Sequence, residues 1–139
     1  MSMKNPASPP VREQLRIIVA DDNTDAVVSL CMLLEDDGHV VKAFHSGARV
    51  IDAVREFAPN VCILDIDMPA ASGYAIAREL KSLYGAARPF MIAISGKWFG
   101  GPDRAIALEA GFDYFIEKPA DPRELGHVLE GVTKRLAAA

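Results

Sequence analysis

Cysteine is scarce in this sequence, and long hydrophobic runs are absent. Only two of the 139 residues are cysteines, Cys31 and Cys62, and both lie in apolar stretches. This placement favours two reduced thiols in a core over a disulfide or a metal site. No apolar stretch approaches the roughly 18 residues that a membrane-spanning helix requires. We therefore expect a cytoplasmic protein that makes no membrane contact.

Basic residues are outnumbered by acidic ones. The chain has 15 Lys and Arg residues against 19 Asp and Glu residues, which gives a formal net charge of -4. No clustered basic face stands out, so we expect no nucleic-acid partner. The chain also lacks both glycine-rich phosphate-binding motifs, G-x-x-x-x-G-K-[ST] and G-x-G-x-x-G. The sequence thus gives no sign of a nucleotide-binding loop.

The start of the chain has no hydrophobic segment of the kind that a signal peptide needs, and it contains Pro6, Pro9 and Pro10. We interpret residues 1–13 as a disordered lead-in and residues 14–137 as one domain. At 50% hydrophobic residues, this domain can bury a core without the help of disulfides.

From residue 15 onward, short β-branched runs alternate with segments of helical periodicity. The runs at 16–20, 40–44, 61–64, 90–94 and 114–116 predict strands, and each is followed by apolar residues at helical spacing. The first run is almost continuously apolar, which is typical of a strand buried on both faces. Five strands alternating with five helices predict parallel βαβ crossovers and a three-layer α/β sandwich.

Some helix ends and inward faces can also be predicted. Asn23 or Thr24 can cap the first helix, and Ser46 can cap the second. Leu83 lies on the apolar side of the third helix, and Leu136 belongs to the apolar stripe of the fifth.

The histidines and two large aromatics carry weaker signals. His39, His45 and His127 are far apart and lack metal-ligand spacing, so we interpret them as surface residues. Trp98 and Phe99 lie in a loop rich in glycine, where they either pack over the fourth helix or form a partner surface. We favour the partner surface.

Polar residues follow four of the predicted strands at the point where each strand ends. In a parallel sheet all carboxyl ends lie at one edge, and ligands bind there at the point where the strand order reverses. If the order is 2-1-3-4-5, that point lies between the first and third strands. The residues that this arrangement would bring together are Asp21, Asp22, Asp65, Asp67, Ser95 and Lys118.

Such a group of carboxylates needs a compensating positive charge. Two carboxylates about 4 Å apart repel each other by about 4 kcal/mol at an effective dielectric constant of about 20. Lys118 is one candidate for the positive charge, and a hard cation such as Mg²⁺ or Mn²⁺, which prefers oxygen ligands and phosphate, is another. A carboxylate such as Asp65 beside a lysine and this cation could attack phosphorus and form an aspartyl phosphate. Ser95 could donate a hydrogen bond to a phosphoryl oxygen.

Four short motifs at these strand ends resemble those of response-regulator receiver domains over about residues 15–136. They are residues 18–23, residues 64–69 together with Gly73, residues 94–96 and residues 117–119. The resemblance implies the flavodoxin-like (βα)5 fold of the chemotaxis-regulator type, with a parallel sheet in the order 2-1-3-4-5. Three short segments are similar to receivers of hybrid histidine kinases: Gly-His at 38–39, Gly-Phe-Asp at 111–113 and Pro-Ala-Asp-Pro at 119–122.

The resemblance also implies a metal site and a phosphoacceptor. Asp65 would be the phosphoacceptor. Asp22, Asp65 and the backbone carbonyl of Asp67 would bind Mg²⁺ directly, and Asp21 would act through water.

Further roles in switching follow from the same resemblance. Ser95 would move to the phosphoryl group, Lys118 would pair with it, and Phe115 would stand in the place of the rotating aromatic, which is often tyrosine in this family. The side chains of Asp67 and Lys97 would tune how long the phosphorylated state lasts.

The implied partners are proteins. They are a sensor histidine kinase or histidine phosphotransfer protein as donor, and a downstream target. A homodimer through the fourth helix, fifth strand and fifth helix is a further implied assembly. The chain would catalyse its own phosphorylation and dephosphorylation without being a turnover enzyme.

Three alternatives remain open. A degenerate receiver would bind partners without phosphorylation, although the acidic set is intact. A phosphatase with an aspartyl nucleophile would carry D-x-D-x-[TV], whereas Pro69 stands at the fifth position counted from Asp65. A flavodoxin-type electron carrier would need a phosphate loop rich in serine and threonine where this chain has two aspartates.

Overall fold

The computed structural model of the protein describes residues 14–68, 71–96 and 102–138. The disordered lead-in predicted for residues 1–13 lies outside these residues, as do Lys97, Trp98 and Phe99, so those predictions stay predictions. No helix in the described ranges has both the length and the apolar character needed to cross a membrane.

Five strands and five helices alternate along the described residues, and each strand agrees with its predicted bounds to within one residue. A short 3₁₀ helix, Gly85–Ala87, follows the third α-helix. The strands are β1 (Arg16–Ala20), β2 (Val40–Phe44), β3 (Val61–Asp65), β4 (Phe90–Ser95) and β5 (Tyr114–Glu117). The helices are α1 (Thr24–Asp36), α2 (Val50–Phe57), α3 (Gly73–Tyr84), α4 (Pro102–Ala110) and α5 (Pro122–Ala138).

The strands form one parallel sheet in the order β2-β1-β3-β4-β5, which confirms the predicted fold. The chain moves outward from β1 to β2 on one side and from β3 to β5 on the other. The order therefore reverses between β1 and β3, and a crevice for a ligand is expected outside their carboxyl ends.

Each face of the sheet has its own apolar core. Ile18 and Leu64 point into a core completed by α2, α3 and α4, whereas Ile17 and Ile63 point into a core completed by α1 and α5. Burying one such side chain contributes about 1.5–3 kcal/mol. The central strands are thus held from both sides, which fixes the positions of the residues at their ends. Cys62 lies in the first core as a free thiol, and burial raises its pKa.

One predicted helix cap is confirmed and another is wrong. The side-chain oxygen of Asn23 accepts a hydrogen bond from the N–H of Ala26 at 3.1 Å and caps α1. Ser46 does not cap α2, because its hydroxyl accepts from the N–H of Ala48 at 3.4 Å, in the turn that precedes the first helical residue, Val50.

Two residues assigned to apolar stripes are exposed in the structure. Leu83 lies in the last turn of α3, and Leu136 lies in the last turn of α5. Periodicity identifies the face of a helix that points inward, but it does not say how far along the helix the core extends.

His39 is buried, so its interpretation as a surface residue is wrong, whereas His45 and His127 are exposed. His39 is only 8% exposed, and its Nδ1 accepts a hydrogen bond from the backbone N–H of Leu15 at 3.1 Å. This bond joins the residue before β2 to the residue before β1.

Replacement of His39 with leucine is expected to lower the free energy of unfolding by about 1–3 kcal/mol, because the buried N–H of Leu15 loses this acceptor. His39→Asn should lose less, since the amide oxygen can take the place of Nδ1. Denaturant unfolding measures both variants, with His127→Leu at an exposed position of α5 as control. Equal stability of His39→Leu and wild type would contradict a structural role for the bond.

Candidate functional site

The carboxyl ends of β1 and β3 bring three aspartates together. Ala20 pairs with Leu64 in the parallel register, so the residues that follow them, Asp21 and Asp65, lie side by side. Asp22 adds a third carboxylate, and one oxygen from each of the three lies within 4.8 Å of the other two. Asp21 and Asp65 are buried, while Asp22 is exposed.

Lys118 connects β5 to this cluster. Its ammonium lies 2.8 Å from Oδ2 of Asp21 and 3.2 Å from Oδ2 of Asp65. Its backbone N–H donates to the carbonyl of Ser95 at 2.8 Å, which holds the end of β5 against the end of β4. Lys118 therefore links the end of β5 to the ends of β1 and β3, although β4 lies between β5 and β3 in the sheet.

The charges in the cluster do not balance. Burial raises the pKa of Asp65, and the nearby Asp21 carboxylate raises it further, against the opposing effects of the Asp67 N–H and Lys118. Burial lowers the pKa of Lys118, but the hydrogen bonds and charges of Asp21 and Asp65 outweigh it, and the net direction is upward. One ammonium faces three carboxylates, so the cluster would be stabilised by a further cation.

Backbone N–H groups fix the orientation of the two buried carboxylates. Oδ1 of Asp65 accepts from the N–H of Asp67 at 3.1 Å, and Oδ1 of Asp21 accepts from the N–H of Asn23 at 3.0 Å. The other oxygen of each carboxylate, Oδ2, is the one that meets Lys118.

Gly73 packs closely against the backbone of the loop that follows β3. Its N–H donates to the carbonyl of Ile66 at 3.1 Å, and a Cβ at this position would lie only 2.7 Å from the backbone oxygen of Asp65. Ser72 caps α3 by accepting from the N–H of Ala75 at 3.2 Å. The close approach of α3 to the Asp65 backbone therefore depends on a residue without a side chain.

The cluster fits a hard divalent cation. Its donors are carboxylate oxygens, which Mg²⁺ and Mn²⁺ prefer, and the exposure of Asp22 leaves room for the water ligands that Mg²⁺ retains. Of the predicted ligands, Asp21, Asp22 and Asp65 belong to the cluster. Asp67 lies on the loop after β3, and its backbone N–H donates a hydrogen bond to the Asp65 carboxylate.

Ser95 and Phe115 lie on β4 and β5 beside Lys118. Ser95 is buried as the last residue of β4. Phe115 is half-buried against the core under α2, α3 and α4, and the guanidinium of Arg104 on α4 lies 4.8 Å from its ring centroid. No sequence pattern pointed to Arg104, because the contact joins two different elements. Lys97 lies outside the described residues.

A groove of about 610 Å³ beside the aspartates was also not predicted. Residues of α1 and of the loop between β5 and α5 form its walls, and Asp21, Leu30 and Lys118 are among the lining residues. Pro119 and Pro122, which also line the groove, were the sequence signal that this loop has a restricted shape.

The profile of the response regulator receiver domain family matches residues 17–130. The chain therefore belongs to this family, which confirms the resemblance drawn from its four motifs. The matched range runs from the second residue of β1 past β5 and includes every residue of the aspartate and lysine cluster.

Similar proteins include longer regulators and single domains. The transcriptional regulatory protein CreB of Escherichia coli is 31% identical over 107 residues, which are 77% of this chain and 45% of CreB. The DNA-binding response regulator MtrA of Mycobacterium tuberculosis is 30% identical over 110 residues, which are 79% of this chain and 46% of MtrA. The chain thus spans about half the length of these relatives. A CheY-like receiver domain from Methanospirillum hungatei shares the fold, with a TM-score of 0.80 at 23% identity, over 91% of this chain and 100% of that one.

Proposed function

We propose that the chain is a phosphorylation switch of a two-component phosphorelay and that Asp65 takes up the phosphoryl group. The observation that carries this proposal is the position of Asp65, a buried carboxylate oriented by a backbone N–H and placed between a lysine ammonium and two further aspartates. The donor is a phosphohistidine of a sensor histidine kinase or of a histidine phosphotransfer protein.

In the transfer, a carboxylate oxygen of Asp65 attacks phosphorus while the P–N bond to the donor histidine breaks. The imidazole leaves with the bonding electrons and takes up a proton, and the product is an acyl phosphate on Asp65. The Lys118 ammonium, 3.2 Å from the Asp65 carboxylate, stabilises negative charge on the phosphoryl oxygens. The Ser95 hydroxyl donates a hydrogen bond to one of these oxygens.

Asp22, Asp65 and the backbone carbonyl of Asp67 would hold Mg²⁺ or Mn²⁺, with Asp21 acting through water. When bound, the cation supplies positive charge that neutralises the phosphoryl oxygens. The side chains of Asp67 and Lys97 influence how water reaches the acyl phosphate and therefore how long it lasts.

Phosphorylation shifts an existing equilibrium between two conformations of the face formed by α4, β5 and α5. Movement of Ser95 toward the phosphoryl group changes the space available to the Phe115 ring, and Arg104 couples that ring to α4. A downstream protein, or a second copy of the chain, reads this face. The donor protein docks along the groove beside α1, which leads to Asp21 and Lys118.

We also propose a cellular location for the chain and a class of activity. The chain acts in the cytoplasm and is not a turnover enzyme, since the group it takes up remains on its own side chain until hydrolysis. One of the relatives is named a DNA-binding regulator, and the match covers less than half of the length of each relative. The expectation of no nucleic-acid partner therefore stays a prediction that the comparisons do not support.

Intact-mass measurement after incubation with acetyl phosphate tests the proposal. Wild type is expected to gain one phosphoryl group in the presence of Mg²⁺ and none after chelation. Asp65→Asn is expected to gain none, because an amide is a far weaker nucleophile than a carboxylate. Asp52→Asn is the matched control, since Asp52 lies on the exposed side of α2 and pairs with Arg55.

A phosphoryl adduct on Asp65→Asn would contradict the assignment of Asp65. Absence of any adduct on folded wild type, with acetyl phosphate and with a phosphorylated histidine phosphotransfer domain, would favour the degenerate receiver that binds partners without phosphorylation.

A further inference from the structure

A second pocket lies at the opposite edge of the sheet from the aspartates. It has a volume of about 240 Å³ and opens between the start of β4 and the end of α5. Phe90, Val132 and Leu136 supply apolar walls, and Arg88 and Arg135 supply two guanidinium groups. None of these residues belongs to the phosphorylation site.

The guanidinium of Arg88 has hydrogen-bonding capacity that the fold does not use. Its Nη1 donates to the carbonyl of Gly85 at 2.9 Å, whereas its Nη2 lies 3.9 Å from Oδ1 of Asp113, at the limit of an ion pair. Oδ2 of Asp113 already accepts from the N–H of Met91 at 2.8 Å. The buried Nε of Arg88 has no partner within the described residues, and a buried donor of this kind is unusual in a folded protein.

Two further donors line the same pocket. The guanidinium of Arg135 lies over the ring of Phe90, 5.4 Å from its centroid, and forms no ion pair in the part of the chain that the structure describes. The side-chain oxygen of Asn60 accepts from the N–H of Arg16 at 2.8 Å, so the amide group of Asn60 is left as a donor. The pocket wall thus carries donors from two loops and from α5.

We propose that this pocket binds a small organic anion, a carboxylate or phosphate ester carried on a compact apolar body. Two arginines against one aspartate leave the wall positively charged in a chain whose net charge is -4. The guanidinium group of Arg88 can donate to an oxygen of such an anion, and Arg135 closes the pocket from the side of α5. The apolar body lies against Phe90 and Val132.

The volume and the position of the pocket limit the ligand. A volume of about 240 Å³ is below the range of about 300–1,000 Å³ that drug-sized ligands occupy, so a compact ligand is required. A bound anion would touch both Arg88, before β4, and Arg135 on α5, and would thereby join α5 to the sheet.

An NMR titration of ¹⁵N-labelled protein with benzoate and with phenyl phosphate tests this inference, and benzyl alcohol is the uncharged control. Saturable shifts are expected for the backbone amides of Phe90, Asp113 and Val132 and for the Nε–H of Arg88. Benzyl alcohol is expected to leave the Nε–H signal unchanged. The titration is run without a phosphodonor or Mg²⁺, so its result does not depend on the proposed function.

A matched pair of variants locates the binding. Arg135→Gln is expected to weaken binding by about tenfold, the order expected for loss of one hydrogen bond to a charged group. Arg55→Gln, at an exposed position on α2, is expected to leave the affinity unchanged. Binding of benzoate alone would identify carboxylates as the ligands, and binding of phenyl phosphate alone would identify phosphate esters. Absence of saturable shifts at millimolar concentrations of both probes, or equal affinity in the two variants, would overturn the proposal.

Discussion

Replacement of Lys118 with methionine is expected to lower the free energy of unfolding by about 2–4 kcal/mol in the absence of divalent cations. The ammonium lies 2.8 Å from Asp21 and 3.2 Å from Asp65, whose side chains are only 5% and 4% exposed. Methionine approximates the length of lysine but leaves these two buried charges without a counter-charge. Lys118 is itself 23% exposed, so solvent screening keeps the loss below that of a fully buried pair.

Lys134→Met is the matched control for this change. Lys134 lies on α5, 3.8 Å from Glu130, but its side chain is 77% exposed. Its replacement should change the free energy of unfolding by no more than about 0.5 kcal/mol. Urea unfolding measures both variants, and a Lys118→Met protein as stable as Lys134→Met would contradict the stabilising role of the bridge.

Two changes should recover part of the stability that Lys118→Met loses. The first is Asp65→Asn in the same protein, because it removes one of the two facing charges. The second is a lower pH. A carboxyl whose pKa is raised in the folded state stabilises that state at low pH, and this contribution is lost as the pH rises through the raised pKa. The pKa of Asp65 is already raised and should rise further without Lys118, so the deficit should be largest near neutral pH.

Replacement of Gly73 with alanine is expected to lower the free energy of unfolding by about 1–3 kcal/mol and to slow phosphoryl incorporation at Asp65. The new Cβ would lie 2.7 Å from the backbone oxygen of Asp65 and 3.0 Å from the Cα of Ile66. These neighbours are backbone atoms, so relief requires that α3 or the loop after β3 moves. Such a movement would displace the carboxylate from its hydrogen bond with Asp67.

Gly131→Ala provides the contrast, because Gly131 is exposed on α5 and a Cβ there would have no neighbour within 4 Å. This variant is expected to gain about 0.5–1 kcal/mol, the difference in helix propensity between glycine and alanine. Unfolding curves and a time course of intact mass measure both properties. If Gly73→Ala were as stable and as reactive as Gly131→Ala, the steric reason would be wrong.

The strands and the edge that carries the site could be predicted because each depends on a local pattern, whereas the strand order was implied by the resemblance to receiver domains. Alternating apolar runs predict the strands, and the polar residues directly after β1 and β3 follow from the sequence alone. Their proximity then follows from the parallel sheet, without knowledge of any side-chain contact.

Contacts between distant segments could not be predicted in the same way. His39 is buried because its Nδ1 meets the N–H of Leu15, 24 residues earlier, and no local pattern encodes that bond. The stacking of Arg104 on Phe115 and the convergence of Arg88 with Arg135 depend equally on how neighbouring elements pack. Leu83 follows the apolar period of α3, yet the end of the helix places it in solvent.

The site residues are spread along the chain from Asp21 to Lys118, so a break between β3 and β4 would divide them between two fragments. Division of the chain at Gly85–Ala87 would leave the three aspartates in one fragment and both Ser95 and Lys118 in the other. The lysine would meet the aspartates again only when β4 paired with β3 across the break. Phosphoryl uptake by the mixed halves would therefore serve as a covalent reporter of fragment complementation, in which a change of mass records that two separate polypeptides have reassembled one sheet.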